Sequence, residues 1–267
     1  MRYAFAPLLA ALVAPCATAA PSSPPALFWD FQDSRLRPGA TPATEHIGIA
    51  HTAGGNHVHV VDTNTTPRDP FSPDSPSNQS IHVFRSAGEA TMPTLQITLP
   101  RDTPAGSTPF SSGTVTFDLF VEELSTSRGS VEVNLGTMST PNSRGRPNSF
   151  AAFQINASNA NPATQGRISY FAESALGADI KPTSAIATPN RKNTFSISWD
   201  TARRTYWIFL NGNLVTSSAF TVENVAGLSA IRFTTVNANT DISFFVDNIA
   251  LHPKSLPAAV GETWQPK

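Results

Sequence analysis

Disulfides are the first thing this chain does without. It has one cysteine, Cys16, in 267 residues, and that cysteine sits inside an apolar N-terminal segment. A protein with no cysteine pair must rest on the size of its core, which this length allows. Charge is also scarce, at 14% of residues with a net charge of −1. No basic patch points to nucleic acid, and no acidic block points to a solvating tail. Beyond the N-terminal segment no apolar run reaches transmembrane length. Amphipathic helical patterns and internal repeats are missing as well.

What is present begins with a leader. Arg2, an apolar run over residues 4–14 and the small residues Ala17, Thr18 and Ala19 form a secretory signal, with cleavage expected after Ala19. Pro15 before Cys16 is a poor match to a lipid-attachment motif. The expected location is therefore secreted, periplasmic or at the cell surface. Residues 20–25 form a Pro-rich lead-in, residues 26–253 one β-domain, and residues 254–267 a C-terminal tail.

The β-domain is legible as period-two alternation. In residues 193–200, Phe195, Ile197 and Trp199 alternate with Thr194, Ser196 and Ser198. Residues 205–210 are aromatic and β-branched, and Asn211-Gly212 supplies the two positive-φ positions of a type I′ hairpin. Residues 214–217, 228–236 and 241–251 read as further strands, so this region is expected to be an antiparallel meander. Upstream, strands are expected at 26–31, 57–62, 79–85, 94–99, 113–122, 130–136, 149–156 and 166–173. Residues 63–78 and 137–148 read as Pro-, Ser- and Asn-rich loops. About a dozen short strands with turn signals between them predict an all-β, two-sheet antiparallel sandwich. Its core is expected to hold Phe117, Leu119, Phe195, Ile197, Trp199 and Ile231.

The run F-S-I-S-W-D, the aromatic strand, the Asn211-Gly212 hairpin and the closing V-D-N-I resemble the concanavalin-A-like lectin/glucanase superfamily, in particular its laminin-G-like jelly rolls. The resemblance implies a jelly-roll fold. Its members include sugar-binding modules, glycosidases, polysaccharide lyases and adhesion domains, so it bears on fold more than on activity.

The middle strands carry the candidate site. Val115, Phe117, Leu119 and Val121 alternate with Asp118 and Phe120, and Val131, Val133 and Leu135 with Glu132 and Asn134. Phe153 and Ile155 alternate with Gln154 and Asn156, and Ile168 and Tyr170 with Arg167 and Phe171. If these strands share a sheet, Asp118, Glu132, Asn134, Gln154, Asn156 and Arg167 offer planar polar groups for sugar hydroxyls. Phe120 and Phe171 then offer aromatic faces for a sugar ring. An ordinary solvated face has the same alternation.

Three functions stay open: a glycan-binding module, an enzyme using the same groove, and an adhesion domain with no sugar site. For hydrolysis, two carboxylates about 5–10 Å apart are needed. Asp118 with Glu132, or Glu122 with Glu123, are the available pairs. No E-x-D-x-x-E run occurs. Gln154-Ile155-Asn156 is similar to the Q-I-H strand of alginate lyases, with Asn156 where that family has histidine, and the K-A-G-x-Y stretch is missing. Tyr170 and Arg167 are the remaining groups a lyase site would draw on. His57 and His59 share a strand face at a spacing found in metal sites, and equally in exposed histidine pairs. By resemblance to β-sandwich sugar-binding modules, Asp247 on the closing strand and Asp30 or Asp33 near the first are expected to hold one structural Ca²⁺, an ion that prefers such oxygen ligands.

Overall fold

The computed structural model of the chain describes residues 27–253, apart from 33–35, 43–45, 51, 53, 72–77, 100–109, 123–128, 138–147, 158–162, 175–176, 222–224, 226 and 237–240. The expected leader, the lead-in and the tail from residue 254 onward lie outside the described residues, as do Asp33 and most of the 137–148 loop. Among the described residues there is no helix. Fifteen strands run in the order β1 (Leu27–Trp29), β2 (Ile47–Ala50), β3 (His57–Val61), β4 (Ser80–Arg85), β5 (Thr94–Thr98), β6 (Ser112–Val121), β7 (Ser130–Thr137), β8 (Asn148–Asn156), β9 (Arg167–Ser174), β10 (Gly177–Ile186), β11 (Lys192–Asp200), β12 (Thr205–Leu210), β13 (Asn213–Ala219), β14 (Ala230–Val236) and β15 (Ile242–His252).

These strands form two antiparallel sheets, a jelly-roll-like sandwich. The first sheet has the order β13-β12-β11-β6-β15-β4-β3, with β1 on β15, and the second has β10-β9-β8-β7-β14-β5-β2. The inward-facing residues of each strand's alternation make one shared core, as the burial of alternate positions predicts. Trp199 is fully buried, and so are Phe117, Leu119, Phe195, Ile197 and Ile231. Trp199 lies opposite Gly113 in the β6–β11 register. A Cβ at Gly113 would lie 2.8 Å from the Trp199 ring and 2.7 Å from the His252 carbonyl oxygen, so the indole needs glycine there. The Trp199 indole N–H donates to the Phe110 carbonyl at 2.9 Å. The Tyr206 hydroxyl donates to the Phe171 carbonyl, joining β12 of one sheet to β9 of the other.

The Asn211-Gly212 turn is as expected. Leu210 pairs with Asn213, and φ is +49° at Asn211 and +80° at Gly212, which glycine adopts freely. Three expectations need correction. The C-terminal region is not one meander, because only β11, β12 and β13 are sequential neighbours. β14 crosses to the second sheet between β5 and β7, and β15 returns to the first between β4 and β6. β2 and β10 are additional strands. Finally, β6 lies in the first sheet while β7, β8 and β9 lie in the second, so the strands expected to share one polar face do not.

Candidate functional site

Four central strands of the second sheet bring their polar positions into two parallel rungs. Arg232 of β14 is the cross-strand partner of both Gln96 on β5 and Asn134 on β7. Gly48 of β2 pairs with Gln96, and Ala152 of β8 with Asn134, so this rung ends in small residues on both sides. The next rung runs Thr94, Thr234, Glu132, Gln154 and Ser169. The hydrophobic partners in between, Ile231, Phe233, Val131, Val133 and Phe153, face the core. That assignment leaves Arg232, Asn134, Glu132 and Gln154 on the outer side by simple alternation.

The rungs are cross-linked. Gln154 Nε2 donates to Glu132 Oε2 at 2.6 Å and Asn134 Nδ2 to Glu132 Oε1 at 3.0 Å. The hydroxyls of Thr94 and Thr234 are 3.1 Å apart, and Arg232 Nη2 donates to Gln96 Oε1 at 2.8 Å. Glu132, Asn134 and Gln154 are buried, whereas Arg232 and Gln96 are half-buried. Burial pushes Arg232 below its ordinary pKa, and the negative charge of Glu132 pulls it back up. Arg232 Nε is buried and has no hydrogen-bond partner.

The other residues expected at a sugar site are elsewhere. Asn156 Nδ2 donates to the Thr164 carbonyl at 2.8 Å and Arg167 Nη2 to the Ala163 carbonyl at 3.1 Å, so both tie down the β8–β9 turn. Phe171 is 3% exposed and offers no aromatic face to solvent. Asp118 and Phe120, on β6, occupy the outer face of the opposite sheet. There Asp118 accepts from Thr194 Oγ1 at 2.6 Å and Asn248 Nδ2 at 2.9 Å, and pairs with Lys192 at 3.5 Å. Phe120 meets Phe71 and Phe245 edge-on. The proposed pairing of Asp118 with Glu132 for hydrolysis is thereby excluded: the two carboxylates back onto opposite sheets.

Asp247, opposite Asp118 in register, is 1% exposed. Burial pushes its carboxyl up to about 7, and the charges of Asp69 and Asp118 add to the shift. Hydrogen bonds from the Asn248 amide and from Asn78 oppose it. Asp69 comes from the segment 62–71, which lies over this face, and accepts from Ser80 Oγ at 2.8 Å and Asn78 Nδ2 at 2.5 Å. The Asp30 carboxylate accepts from its own turn, at the Gln32 amide. Among the described residues no group of three His, Cys, Asp or Glu is arranged to hold a metal ion. His57 stacks on His59, and its Nε2 hydrogen-bonds His82 Nδ1 at 3.0 Å. His82 Nε2 reaches Ser243 Oγ at 2.8 Å, and burial lowers its pKa to about 3, helped by His57 and His59.

Sequence reasoning missed Arg232 and Gln96. The signal was in A-I-R-F-T-T-V, where Arg232 and Thr234 alternate with Ile231 and Phe233.

No family profile matches the chain, and no curated protein matches it. Solved structures share its fold at low identity. An endo-β-1,4-glucuronan lyase from the fungus Trichoderma reesei superposes with a TM-score of 0.55 at 10% identity, over 85% of this chain and 95% of the lyase. A carbohydrate esterase from the Shiga toxin-encoding bacteriophage phi24B gives 0.53 at 13% identity, over 86% and 99%. A sialidase gives 0.47 at 11% identity over 65% of this chain, which spans 15% of that protein's length. The lyase and esterase superpositions show the fold alone, a two-sheet β-sandwich.

Proposed function

We propose that this chain is an exported, concanavalin-A-like carbohydrate-recognition module that takes a polysaccharide or glycan on the outer face of the second sheet. One observation carries the reading. Gln96, Arg232 and Asn134 form a continuous rung of planar donors and acceptors across three strands, backed by a second rung that holds Glu132 and Gln154 in place. Sugar hydroxyls are matched by such fixed planar groups, and Gly48 and Ala152 leave room for a ring at the rung's ends. The half-buried Arg232 and Gln96 are the contact groups, and the buried Glu132, Asn134 and Gln154 are their support.

Recognition is favoured over cleavage by the chemistry of this face. On β5, β14, β7 and β8, Glu132 is the only carboxylate, and both of its oxygens accept amide hydrogen bonds. Hydrolysis by the two-carboxylate route needs a second acid. Tyr170, the tyrosine a lyase site would draw on, is the cross-strand partner of Phe153 and packs against the core, away from this face.

The test is glycan-array binding of the purified protein, run beside a reducing-sugar assay and absorbance near 235 nm, roughly where unsaturated uronates absorb. Binding without product is the expected result. Product release would establish the enzyme reading, and the absence of any glycan binding would leave the adhesion-domain reading.

A further inference from the structure

We infer that the glycan is acidic and that Arg232 takes a sugar carboxylate, so that the ligand class is a uronic-acid polymer; this rests on the recognition reading above. A guanidinium carries five N–H donors in a planar fork. The protein supplies Arg232 with one acceptor, Gln96 Oε1, while its buried Nε–H has none. Nε is closed to solvent, so an incoming group meets the half-buried guanidinium at its Nη edge, where a carboxylate satisfies two N–H groups at once and a single hydroxyl does not.

Glu132 does not fill that role. Its oxygens accept from Asn134 and Gln154, which stabilise its charge without Arg232, and its effect on the guanidinium is a charge interaction. The guanidinium is also the only cationic side chain on the four central strands of this sheet. A polymer with one carboxylate per sugar can place that group on the fork. Neighbouring hydroxyls then meet Gln96, which flanks Arg232 in the same rung.

The experiment measures affinity of the wild-type protein for a panel of uronate polymers (glucuronate, galacturonate, mannuronate and guluronate), for their methyl esters, for neutral glucans and for dextran sulfate. The expected result is binding to at least one uronate polymer about 10- to 100-fold tighter than to its methyl ester, the range one charge-assisted hydrogen-bond pair supports. Arg232→Gln should abolish that preference, and Arg232→Lys should restore only part of it, because an ammonium has the charge without the fork. The acid-to-ester ratio is read on the wild type, so the inference does not depend on a variant folding. Equal affinity for acid and ester, or binding confined to neutral glucans, would overturn the acidic ligand and leave glycan recognition standing. Preference for dextran sulfate over every uronate would overturn the carboxylate. Failure to bind any polymer would overturn both readings.

Discussion

The two outer faces of this sandwich are written in the same alternating code and come to opposite ends. On the first sheet, Asp118, Asp247 and His82 point outward, yet the chain covers and satisfies them itself. Segment 62–71 lies over Asp247 and Phe120, with Asp69 held by Ser80 and Asn78 and Phe71 against Phe120, while His82 is packed by His57 and Phe245 and bonded to Ser243. Asp118 is matched by Lys192, Thr194 and Asn248, and burial raises Asp247 to about 7, which favours its neutral form below that pH. On the second sheet, Glu132, Asn134 and Gln154 satisfy one another in the same way, but Arg232 and Gln96 stay half-exposed beside them. A polar outward position marks a binding site only where the chain leaves it within reach of solvent. Polarity alone does not distinguish the two.

The largest effect is expected in the core that backs both faces. Trp199→Ala should cost about 3–5 kcal/mol by equilibrium denaturation, because it empties a fully buried indole site. Next, Asp69→Ala should release the cover of the first face and cost about 1–3 kcal/mol, through the stranded Ser80 and Asn78 donors. If the faces are independent, glycan affinity should not change. A loss of binding equal to that of Arg232→Gln would break the comparison.

The pH dependence of stability probes the first face alone, through two groups that titrate in opposite senses. Asp247 has a folded pKa raised to about 7 from 3.8, so its contribution is full below about 3.8 and is lost as pH rises to about 7. His82 has a folded pKa lowered to about 3 from 6.5, so its contribution is full above about 6.5 and is lost as pH falls toward 3. Between roughly pH 4 and 6.5 the two slopes, each up to about 1.4 kcal/mol per pH unit, oppose each other. Wild-type stability should therefore vary little across that window. Asp247→Asn should make stability rise with pH there, as unfolding titrations at several pH values would show. A rising slope already present in the wild type would contradict a protonated Asp247. The smallest effect concerns calcium. If Asp247 and Asp30 or Asp33 hold the ion, chelator should lower the wild-type melting temperature and leave that of Asp247→Ala unchanged. An unchanged wild-type melting curve would remove the Ca²⁺ and leave Asp247 as a strand residue.

Most of the fold was legible because alternation reports burial directly, as at Phe195, Ile197 and Trp199, and because Asn211-Gly212 admits few backbone shapes. β10 was not, since Lys181 and Pro182 give it the polar, proline-bearing composition of an edge strand. β2 is four residues long, too short to show a period. Sheet membership was the deeper gap. Alternation says which side of its own strand Asp118 takes, but it carries nothing about whether β6 joins β7 or β11. That pairing is non-local, and it moved Asp118 and Phe120 away from Glu132 and Gln154 while bringing Arg232 beside Asn134.

The central claim, that the second face and not the first receives the glycan, is tested most directly by measuring the affinity of two variants for the uronate polymer that the wild type binds best. Arg232→Gln removes the half-exposed guanidinium, and Asp118→Asn changes a well-partnered acid of the other face. The account predicts that Arg232→Gln weakens binding about 10- to 100-fold and that Asp118→Asn matches the wild type. Wild-type affinity in Arg232→Gln together with loss in Asp118→Asn would contradict it.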